Sequence, residues 1–396
     1  MEHCKYLVVG GGLAADAAVR GIRDVDRTGS IQIVSDESDP PYDRPALSKA
    51  LWMGGRIAEI WHHTESTGAK LRLNTRIVAI DPVNRIAIDT NGVGYGYERL
   101  LLATGGTPRH LAEADADPSI IYLRALTDFR RAWHSASLGA EFAVIGGGFL
   151  GPEISASLAI NAKRVSLIFP GRCIGERLYP RPLANFLNVY FRKNGVNVHF
   201  GERVDRIYRQ GERLIVHTDC NDSKAVDVVV VGIGIEPNVE LAKTAGLVVR
   251  NGLVVDETLR TSNPDIYAAG DIAEFPCFGL GRRLRIEHAD NAGVMGRVAG
   301  RNMAGRRDSY RHLPSFYSDL FDLGYEAVGE IDSGMEIVED WDQKFRKGII
   351  YYLREGCVRG VLLWNTWGLL DAARDLISSR RRQSAGSLLG FLRRVI

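Results

Sequence analysis

Two glycine loops have the residue types that bind the diphosphate of a dinucleotide. The first follows the apolar run 5–9. There Gly10 permits a tight turn, Gly12 lets backbone N–H groups approach a phosphate, and Ala15 lets a helix pack closely on a strand. The second loop, residues 146–153, has the complete Gly-x-Gly-x-x-Gly spacing. Each loop leads into a helix whose N-terminus attracts phosphate, so the sequence predicts two dinucleotide-binding sites.

Acidic side chains follow two of the predicted strands. The apolar run 31–34 leads to Asp36, whose carboxylate can accept hydrogen bonds from a ribose diol. The alternative for Asp36 is an ordinary acid at a strand end. A later strand ends in Gly270 and Asp271, and Asp271 could hold the ribityl chain of a flavin.

A proline-rich segment, residues 40–49, carries two cations. Rigid loops of this kind hold side chains in place. Arg44 could bind a pyrophosphate through two hydrogen bonds, and Lys49 could place a positive charge beside a flavin ring. Each residue taken alone is also typical of a solvated surface charge.

Small residues and one helix start also suit a bound cofactor. Thr104 and Gly105 end one buried strand and Gly234 follows another, so the backbone can pass close to a ligand. A helix is predicted over residues 285–302, and its N-terminus would favour negative charge on a reduced flavin. His288, taken alone, is typical of a capping or packing residue.

The strand after the second glycine loop lacks the carboxylate that reads a ribose 2′-hydroxyl. Residues 164–169 run into Gly171, with Arg172 and Arg177 nearby. The arginines could attract a 2′-phosphate or be solvated surface charges. The pattern predicts weak discrimination between NADH and NADPH.

Length and composition are those of a globular protein with two or three domains. The chain has 396 residues, of which 45% are hydrophobic and 25% charged. Its net charge of +2 gives no reason to expect nucleic acid or a membrane as a partner. The first strand begins almost at Met1 and no apolar run could span a bilayer, so we expect a cytoplasmic protein.

The cysteines are scattered, without a Cys-x-x-Cys pair. A flavoenzyme that passes electrons to a disulfide needs two neighbouring thiols, so the sequence predicts neither a metal site nor disulfide reductase activity. The five are Cys4, Cys173, Cys220, Cys277 and Cys357.

The order of these motifs resembles the two-dinucleotide flavoprotein family that contains the oxygenase-coupled ferredoxin reductases and apoptosis-inducing factor. The similarity covers nearly the whole chain and continues into the C-terminal third, where the ferredoxin reductases are less similar. The segments most similar to apoptosis-inducing factor are residues 44–52, 102–109, 146–153 and 285–302.

The resemblance implies an α/β fold with two Rossmann-like dinucleotide-binding domains and a C-terminal α+β domain. The expected FAD-binding domain is discontinuous, residues 1–116 and 251–307, around an NAD(P)H-binding domain at residues 117–250. A C-terminal sheet domain at residues 308–380 and a basic tail at residues 381–396 complete the expected organisation.

The resemblance also implies which residues contact each cofactor. Lys49 and Glu153 resemble the family's ion pair beside flavin N5, where hydride arrives. The expected FAD contacts are Gly10, Gly12, Asp36, Glu37, Arg44, Lys49, Val78, Arg124, Asp271, His288 and Ala289. The expected nicotinamide-nucleotide contacts are Gly147, Gly148, Phe149, Leu150, Arg177, Gly234, Glu287, Glu326 and Asn365, with Gly151 completing the glycine motif.

Two positions depart from the family pattern. Tyr317 replaces a tryptophan that family members usually place by the flavin, and it keeps an aromatic surface there. Gly171 replaces the acid expected to hold the adenine ribose. The family pattern favours NADH, whereas Gly171 weakens that preference.

The motifs and the resemblance together predict an FAD-dependent NAD(P)H oxidoreductase. Hydride would pass from nicotinamide C4 to flavin N5, and electrons would leave to an acceptor such as a small iron–sulfur protein or a quinone. The alternative is a slow redox sensor whose NADH-reduced state changes its association with a partner. A homodimer is compatible with both.

The C-terminal tail is basic. From Ser378 onward it carries five arginines and no acid, with apolar residues between them. One interpretation is a solvated, partly ordered terminus. The other is a segment that docks an acidic partner or lies on an anionic membrane surface.

Overall fold

Residues 2–112, 114 and 116–395 are described by the computed structural model of the chain. Within them the α-helices, in chain order, are α1 (Leu13–Arg23), α2 (Leu126–Ser137), α3 (Leu150–Ile160), α4 (Arg181–Lys193), α5 (Glu240–Thr244), α6 (Ala289–Met303), α7 (Leu370–Ser379) and α8 (Ala385–Leu388). Short 3-10 helices cover Arg44–Leu47, Ala50–Met53, Ile57–Glu59, Thr64–Thr67 and Leu392–Val395.

The β-strands of the same residues vary from two to nine residues in length. In chain order they are β1 (Glu2–Val9), β2 (Ile31–Val34), β3 (Lys70–Arg72), β4 (Ile77–Asp81), β5 (Ile86–Asp89), β6 (Gly94–Leu102), β7 (Gly106–Pro108), β8 (Ile120–Tyr122), β9 (Phe142–Ile145), β10 (Val165–Phe169), β11 (Val196–Phe200), β12 (Val204–Gln210), β13 (Arg213–Thr218), β14 (Ser223–Val226), β15 (Val228–Val231), β16 (Ile235–Pro237), β17 (Leu253–Val254), β18 (Ile266–Ala268), β19 (Ala273–Cys277), β20 (Arg282–Leu284), β21 (Ser315–Leu320), β22 (Leu323–Gly329), β23 (Glu336–Gln343), β24 (Lys347–Arg354) and β25 (Cys357–Trp364).

The first of two compact units comprises Met1–Arg44, Arg56–Thr107 and Glu236–Ser315. Its main sheet has the order β3-β2-β1-β6-β5-β4, and β18 also pairs with β6. Strands β3, β2, β1, β6 and β18 run parallel, whereas β4 and β5 form an antiparallel extension. The chain order of the parallel strands reverses at β1. Ligands of such sheets bind at this point, beyond the carboxyl ends of the strands.

Helices α1 and α6 of the first unit pack at backbone distance. A Cβ atom on Gly296 would overlap the backbone oxygen of Ala14, and one on Gly300 would overlap that of Ala18. Small residues on both helices therefore replace the usual layer of larger side chains. This close approach holds α6 against α1.

The second unit comprises Pro45–Gly55, Pro108–Ile235 and Phe316–Ile396. Its first sheet is wholly parallel, with the order β11-β10-β9-β15-β8. The antiparallel sheet β12-β13-β14 comes between β11 and β15 in sequence. The C-terminal sheet has the order β21-β22-β25-β24-β23 and is antiparallel from β22 to β23. Helix α7 follows it.

The predicted fold class is confirmed. Each unit has a parallel sheet with a glycine loop at its central strand, and the second unit also carries the C-terminal α+β region. That region and the second parallel sheet belong to one compact unit, and the three-domain boundaries stay a prediction. Among the helices of the described residues, none has the length and apolar character needed to cross a bilayer.

Helix α6 begins later than the sequence predicts. The predicted start was residue 285, whereas the helix starts at Ala289 with His288 as its N-cap, at φ −108° and ψ 145°. The side-chain amide of Asn291 donates to the Ile286 carbonyl oxygen at 2.9 Å, which helps to hold the extended approach to the helix. The helix N-terminus therefore lies at His288 and Ala289.

The C-terminal tail packs against β23. The side chains of Leu388 and Leu392 are fully buried. Arg393 forms ion pairs with Asp340, at 2.9 Å, and with Asp342. More of the tail is packed than a solvated terminus implies, and two of its apolar side chains are not available to a partner.

Gly300→Ala is expected to destabilise the protein, because its Cβ would overlap the Ala18 oxygen. Overpacking of this kind lowers the free energy of unfolding by about 1–3 kcal/mol. The control in the same helix is Gly293→Ala, whose Cβ would meet Leu13 at an ordinary 3.8 Å. That change should be neutral or stabilise by up to about 1 kcal/mol. Urea unfolding followed by circular dichroism measures both variants, and equal midpoints would contradict the packing argument.

Candidate active site

The first glycine loop packs against Ala103 on one side and faces the Arg44 guanidinium on the other. Gly10 has φ +116°, and a Cβ there would overlap the carbonyl oxygen of Ala103. Gly12 is the N-cap of α1, and the nearest neighbour of a Cβ on it would be the Arg44 guanidinium, at 3.9 Å. Ala15 is fully buried in the first turn of the helix. The loop therefore leaves room for a phosphate at the α1 N-terminus.

Arg44 is held beside this loop by two side chains. Its Nη2 pairs with Glu37 Oε1 at 2.6 Å, and its Nη1 donates to the Tyr42 hydroxyl at 3.0 Å. Tyr42 in turn donates to Glu37 Oε2 at 2.8 Å, and the guanidinium lies 5.0 Å from the Tyr42 ring centroid. Glu37 thus orients Arg44, whose charge would favour a diphosphate.

The turn after β6 is fixed by Asn238. The Thr104 hydroxyl donates to the Asn238 carbonyl oxygen at 3.0 Å, and the Asn238 amide donates to the Thr104 carbonyl oxygen at 2.8 Å. Gly105 follows with φ +63°, a conformation that favours glycine. The predicted small-residue turn is therefore a rigid backbone turn.

Acids lie just beyond two parallel strands of the first unit. Asp36 is exposed after the end of β2. Gly270 has φ +80° and leads to Asp271 after β18. Arg285 donates to the Asp271 carbonyl oxygen at 3.1 Å and pairs with Glu287 at 2.6 Å. Because the strands are parallel, both acids belong to the ligand-binding edge of the sheet.

His288 and Ala289 form the start of α6. Burial lowers the pKa of His288 to about 4, against the opposite effect of Asp271 and Asp290, so the imidazole is neutral at pH 7. The partial positive charge at this end therefore comes from the helix itself. Val78 lies on β4 with its side chain half exposed.

The second glycine loop has the same construction. Gly146 has φ +122°, and a Cβ on Gly151 would overlap the Gly146 carbonyl oxygen. A Cβ on Gly147 would lie 2.6 Å from the Phe169 ring. One on Gly148 would enter open space, with no atom of the described residues beyond its two chain neighbours within 4 Å. The loop is therefore tightly packed at Gly146, Gly147 and Gly151 and open at Gly148, where a phosphate would bind.

Phe149 and Leu150 begin helix α3. Phe149 is the N-cap residue and Leu150 is the first helical residue. The Phe149 ring packs edge to face against Phe316 at 5.2 Å, and much of it is exposed. An aromatic surface thus lies at the opening of the second loop.

Glu153 is a buried carboxylate in the first turn of α3 and has three polar partners. Lys49 Nζ pairs with its Oε2 at 2.8 Å, and the Ser48 hydroxyl donates to the same oxygen at 3.0 Å. The Ser318 hydroxyl donates to its Oε1 at 2.6 Å. The Lys49 and Glu153 side chains are only 13% and 6% exposed. The predicted ion pair forms, and both oxygens of its carboxylate are compensated.

Aromatic residues lie beside this pair. Lys49 Nζ is 4.7 Å from the centroid of the Tyr317 ring, which is half exposed. The buried Tyr179 hydroxyl donates to that of Tyr325 at 3.0 Å, and Tyr325 stacks on Trp364 at 5.7 Å. Burial raises the pKa of Tyr325 well above its ordinary value, so this phenol stays neutral.

The remaining predicted residues of the second unit lie in four loops or turns and one strand. Arg124 is in the turn between β8 and α2, and Arg177 is exposed in the loop after β10. Gly234 has φ +102°, and Asn365 has φ +45° just after β25. Burial raises the pKa of Glu326, on β22, and its Oε2 has no hydrogen-bond partner among the described residues. The contacts of these five with a nucleotide stay predictions.

Comparison with known families covers both glycine loops. The description "pyridine nucleotide-disulphide oxidoreductase" matches residues 4–296, which include both glycine loops. The chain belongs to this family. The C-terminal region of mitochondrion-associated apoptosis-inducing factor matches residues 299–343 and 336–379. The resemblance that the sequence motifs carry is therefore confirmed.

Members of the pyridine nucleotide-disulphide oxidoreductase family are similar over most of their length. The ferredoxin–NAD(+) reductase component of the anthranilate 1,2-dioxygenase system of Burkholderia cepacia is 35% identical, covering 96% of this chain and 95% of its own. Mitochondrial apoptosis-inducing factor 1 of Dictyostelium discoideum is 32% identical, covering 96% and 79%. The solved covalent putidaredoxin reductase–putidaredoxin complex gives a TM-score of 0.92 at 28% identity, covering 100% and 98%.

The protein is therefore an FAD-dependent NAD(P)H oxidoreductase, as predicted. Bound FAD would supply the flavin that accepts hydride and passes electrons on. The space beside Gly12 and Arg44 and the open space at Gly148 would each suit a diphosphate. The assignment of FAD to the first loop and NAD(P)H to the second stays a prediction.

Some polar residues of the site were not predicted from the sequence. Ser48 and Ser318 donate to Glu153, and Asn238 fixes the turn at Thr104. The signal for Ser318 was its position next to Tyr317 on one strand. Neighbours on a strand point to opposite faces, so a buried Ser318 accompanies an exposed Tyr317.

Removing one charge of the Lys49–Glu153 pair is expected to lower the free energy of unfolding more than removing both charges. Lys49→Met leaves the Glu153 charge buried, and breaking a buried pair in this way costs about 3–5 kcal/mol of unfolding free energy. Adding Glu153→Gln removes that charge; its amide oxygen can still accept from one serine hydroxyl, and its NH2 group can donate to the other. Urea unfolding of the four proteins at saturating FAD should give a coupling energy of about 1–3 kcal/mol. Strict additivity of the two changes would contradict a direct interaction.

Acid is expected to destabilise the protein partly through His288. Its folded pKa of about 4 lies below the ordinary 6.5, so the unfolded state binds more protons between these values. The free energy of unfolding therefore falls as the pH drops from about 6.5 to about 4. His288→Gln should remove about 2 kcal/mol of the loss between pH 7.5 and pH 5. Urea unfolding at both pH values tests this, with His63→Gln, at an exposed histidine, as the control.

Proposed function

We propose that the enzyme passes electrons from NAD(P)H, through FAD, to a small iron–sulfur protein. The observation that carries the proposal is the similarity to a ferredoxin–NAD(+) reductase component over 96% of this chain and 95% of that relative. The similarity to the reductase of the putidaredoxin complex supports the same class of acceptor. A protein acceptor of this kind needs access to the flavin and does not need a substrate pocket in the reductase.

The cysteines support an acceptor other than a disulfide within this chain. All five are free, and Cys4, Cys173 and Cys277 are buried. Burial raises the pKa of Cys4 to about 12, which keeps this thiol protonated and unreactive. A flavin-linked dithiol requires two thiols at bonding distance, whereas the five cysteines are scattered in sequence and none forms a disulfide.

The buried ion pair supports a role for Lys49 in the first half-reaction. Its ammonium would stabilise the negative charge that arrives with a hydride, and Glu153 would hold the ammonium in position. A pair this well shielded from water interacts more strongly than a surface pair. Arg44 and Gly148 would bind the diphosphates of the two nucleotides, and Tyr317 would offer its exposed ring to an aromatic partner.

A second candidate is a slow redox sensor whose reduced, nucleotide-bound state changes its association with a partner or with itself. Its basis is the match of residues 299–343 and 336–379 to the C-terminal region of a protein named apoptosis-inducing factor, a name that denotes signalling and not an electron acceptor. The 32% identity to the Dictyostelium apoptosis-inducing factor points the same way. A sensor needs a long-lived reduced state rather than a fast acceptor.

Stopped-flow spectroscopy separates the two candidates. The FAD-loaded protein is reduced anaerobically with one equivalent of NADH or NADPH and then mixed with a [2Fe–2S] ferredoxin, a soluble quinone or oxygen. The proposal expects reoxidation by the ferredoxin to be faster than by the other two by at least about tenfold, which is about 1.4 kcal/mol in activation free energy. Loss of the oxidised-flavin absorbance and its return measure the two half-reactions separately.

Slow reoxidation by every acceptor would contradict the proposed function. If sedimentation also showed that NADH changes the oligomeric state, the sensor would be favoured, and the same measurement would establish whether the protein is a homodimer. Faster reoxidation by the quinone would transfer the proposal to that acceptor. The cytoplasmic location expected from the sequence stays a prediction that cell fractionation would check.

A further inference from the structure

The loop after β10 returns a carboxylate to the position where Gly171 has no side chain. Glu176 Oε2 accepts a hydrogen bond from the Arg172 backbone N–H at 3.1 Å. A Cβ on Gly171 would lie 2.8 Å from the same oxygen. The Glu176 carboxylate therefore occupies the space that a side chain at residue 171 would enter.

This position is where a doubly wound sheet distinguishes nucleotides. β10 is the strand after α3, and α3 follows the second glycine loop. In such folds a carboxylate at the end of this strand hydrogen-bonds the ribose 2′-hydroxyl of NAD, whereas NADP carries a 2′-phosphate there. A carboxylate that a loop places at this position would lie beside the same ribose as a carboxylate at the strand end.

The loop that carries Glu176 is fixed at both sides. The Gly175 N–H donates to the Gly147 carbonyl oxygen at 2.8 Å, which ties the loop to the second glycine loop. The Asn188 side chain accepts from the Ile174 N–H at 2.9 Å and donates to the Arg172 carbonyl oxygen at 3.0 Å. Three backbone anchors over four residues leave the loop little freedom to carry the carboxylate away.

The C-terminal region holds the far side of the loop. The Ser333 hydroxyl donates to the Glu176 carbonyl oxygen at 2.7 Å, and the Ser333 N–H donates to the Arg177 carbonyl oxygen at 3.0 Å. The backbone of Glu176 is thus fixed from a second direction. Its side chain is exposed and accessible to a nucleotide.

We propose that Glu176 selects NADH over NADPH. Its carboxylate accepts hydrogen bonds from the adenine ribose diol and repels a 2′-phosphate, since like charges in contact are strongly unfavourable. The inference rests on the proposed function, because that function uses the selected nucleotide as its electron donor. It replaces the weak discrimination that Gly171 predicts by itself. Arg172 and Arg177, both exposed, reduce the repulsion without removing it, because the carboxylate and not a guanidinium fills the space beside Gly171.

Binding of the oxidised nucleotides, which cannot reduce the flavin, tests the proposal apart from activity. Isothermal titration calorimetry on the FAD-loaded protein should give NAD⁺ an affinity at least about thirtyfold above that of NADP⁺. Glu176→Gln should lower this ratio by about tenfold or more, chiefly through tighter NADP⁺ binding. Glu336→Gln, at an exposed acid on β23, is the matched control and should leave the ratio unchanged.

A variant that moves the carboxylate provides the rescue. Gly171 does not have a positive φ, so a side chain is compatible with its backbone. Glu176→Ala combined with Gly171→Glu removes the crowding and returns an acid to the strand end. This double variant should recover the NAD⁺ preference that Glu176→Ala alone loses.

Two results would overturn the assignment of Glu176. One is equal affinity of the unmodified protein for NAD⁺ and NADP⁺, and the other is an unchanged ratio in Glu176→Gln with FAD content retained. Neither depends on the electron acceptor. If the ferredoxin experiment fails while Glu176→Gln shifts the binding ratio, only the proposed function is lost.

Discussion

Glu153 is buried and ion-paired, and its partners link three parts of the second unit. Removing a carboxylate from water costs several kcal/mol unless well-placed partners replace the hydration. The partners come from distant parts of the chain: Lys49 and Ser48 from the Pro45–Gly55 segment, and Ser318 from β21. The helix dipole adds to this compensation, because Glu153 lies in the first turn of α3. The Pro45–Gly55 segment, which belongs to the second unit although the residues on both sides belong to the first, supplies the cation at this position.

Helix α3 fixes this segment as well as the glycine loop. The Ser157 hydroxyl donates to the Ser48 carbonyl oxygen at 2.8 Å, and the Asn161 amide donates to the Trp52 carbonyl oxygen at 2.8 Å. Trp52 is buried and packs edge to face on Phe129 at 5.4 Å. One helix therefore carries the second glycine loop at its N-terminus and fixes the segment of Lys49 along its side. Because the interior is close-packed, a displacement of α3 would move both together.

The glycine loops and the strands before them could be predicted from sequence, because local residue types determine them. Gly10 and Gly146 adopt positive φ values that other residues rarely reach, and apolar strands precede both. The start of α6 could not be predicted, because residues 285–288 are also compatible with a helix. Their extended path depends on tertiary contacts. Likewise Ser48 and Ser318 are ordinary residues in sequence, and they contact Glu153 from 105 and 165 residues away. Side-chain compensation of a buried charge is a property of three-dimensional packing.

The two parallel sheets place an acid at the same kind of strand end in different ways. In the first sheet Asp36 is two residues beyond β2. In the second Gly171 is two residues beyond β10, and a loop brings Glu176 back to it. The motif requires an acid at a particular position in the fold. A loop can place an acid there from five positions further along the chain if its backbone is fixed. Here the fixing contacts come from Gly147, in the second glycine loop, and from Ser333, in the C-terminal region. An acid on the strand itself would depend on neither. The charge beside the second nucleotide site therefore depends on the packing of both regions, which a strand-end residue read from the sequence would not reveal.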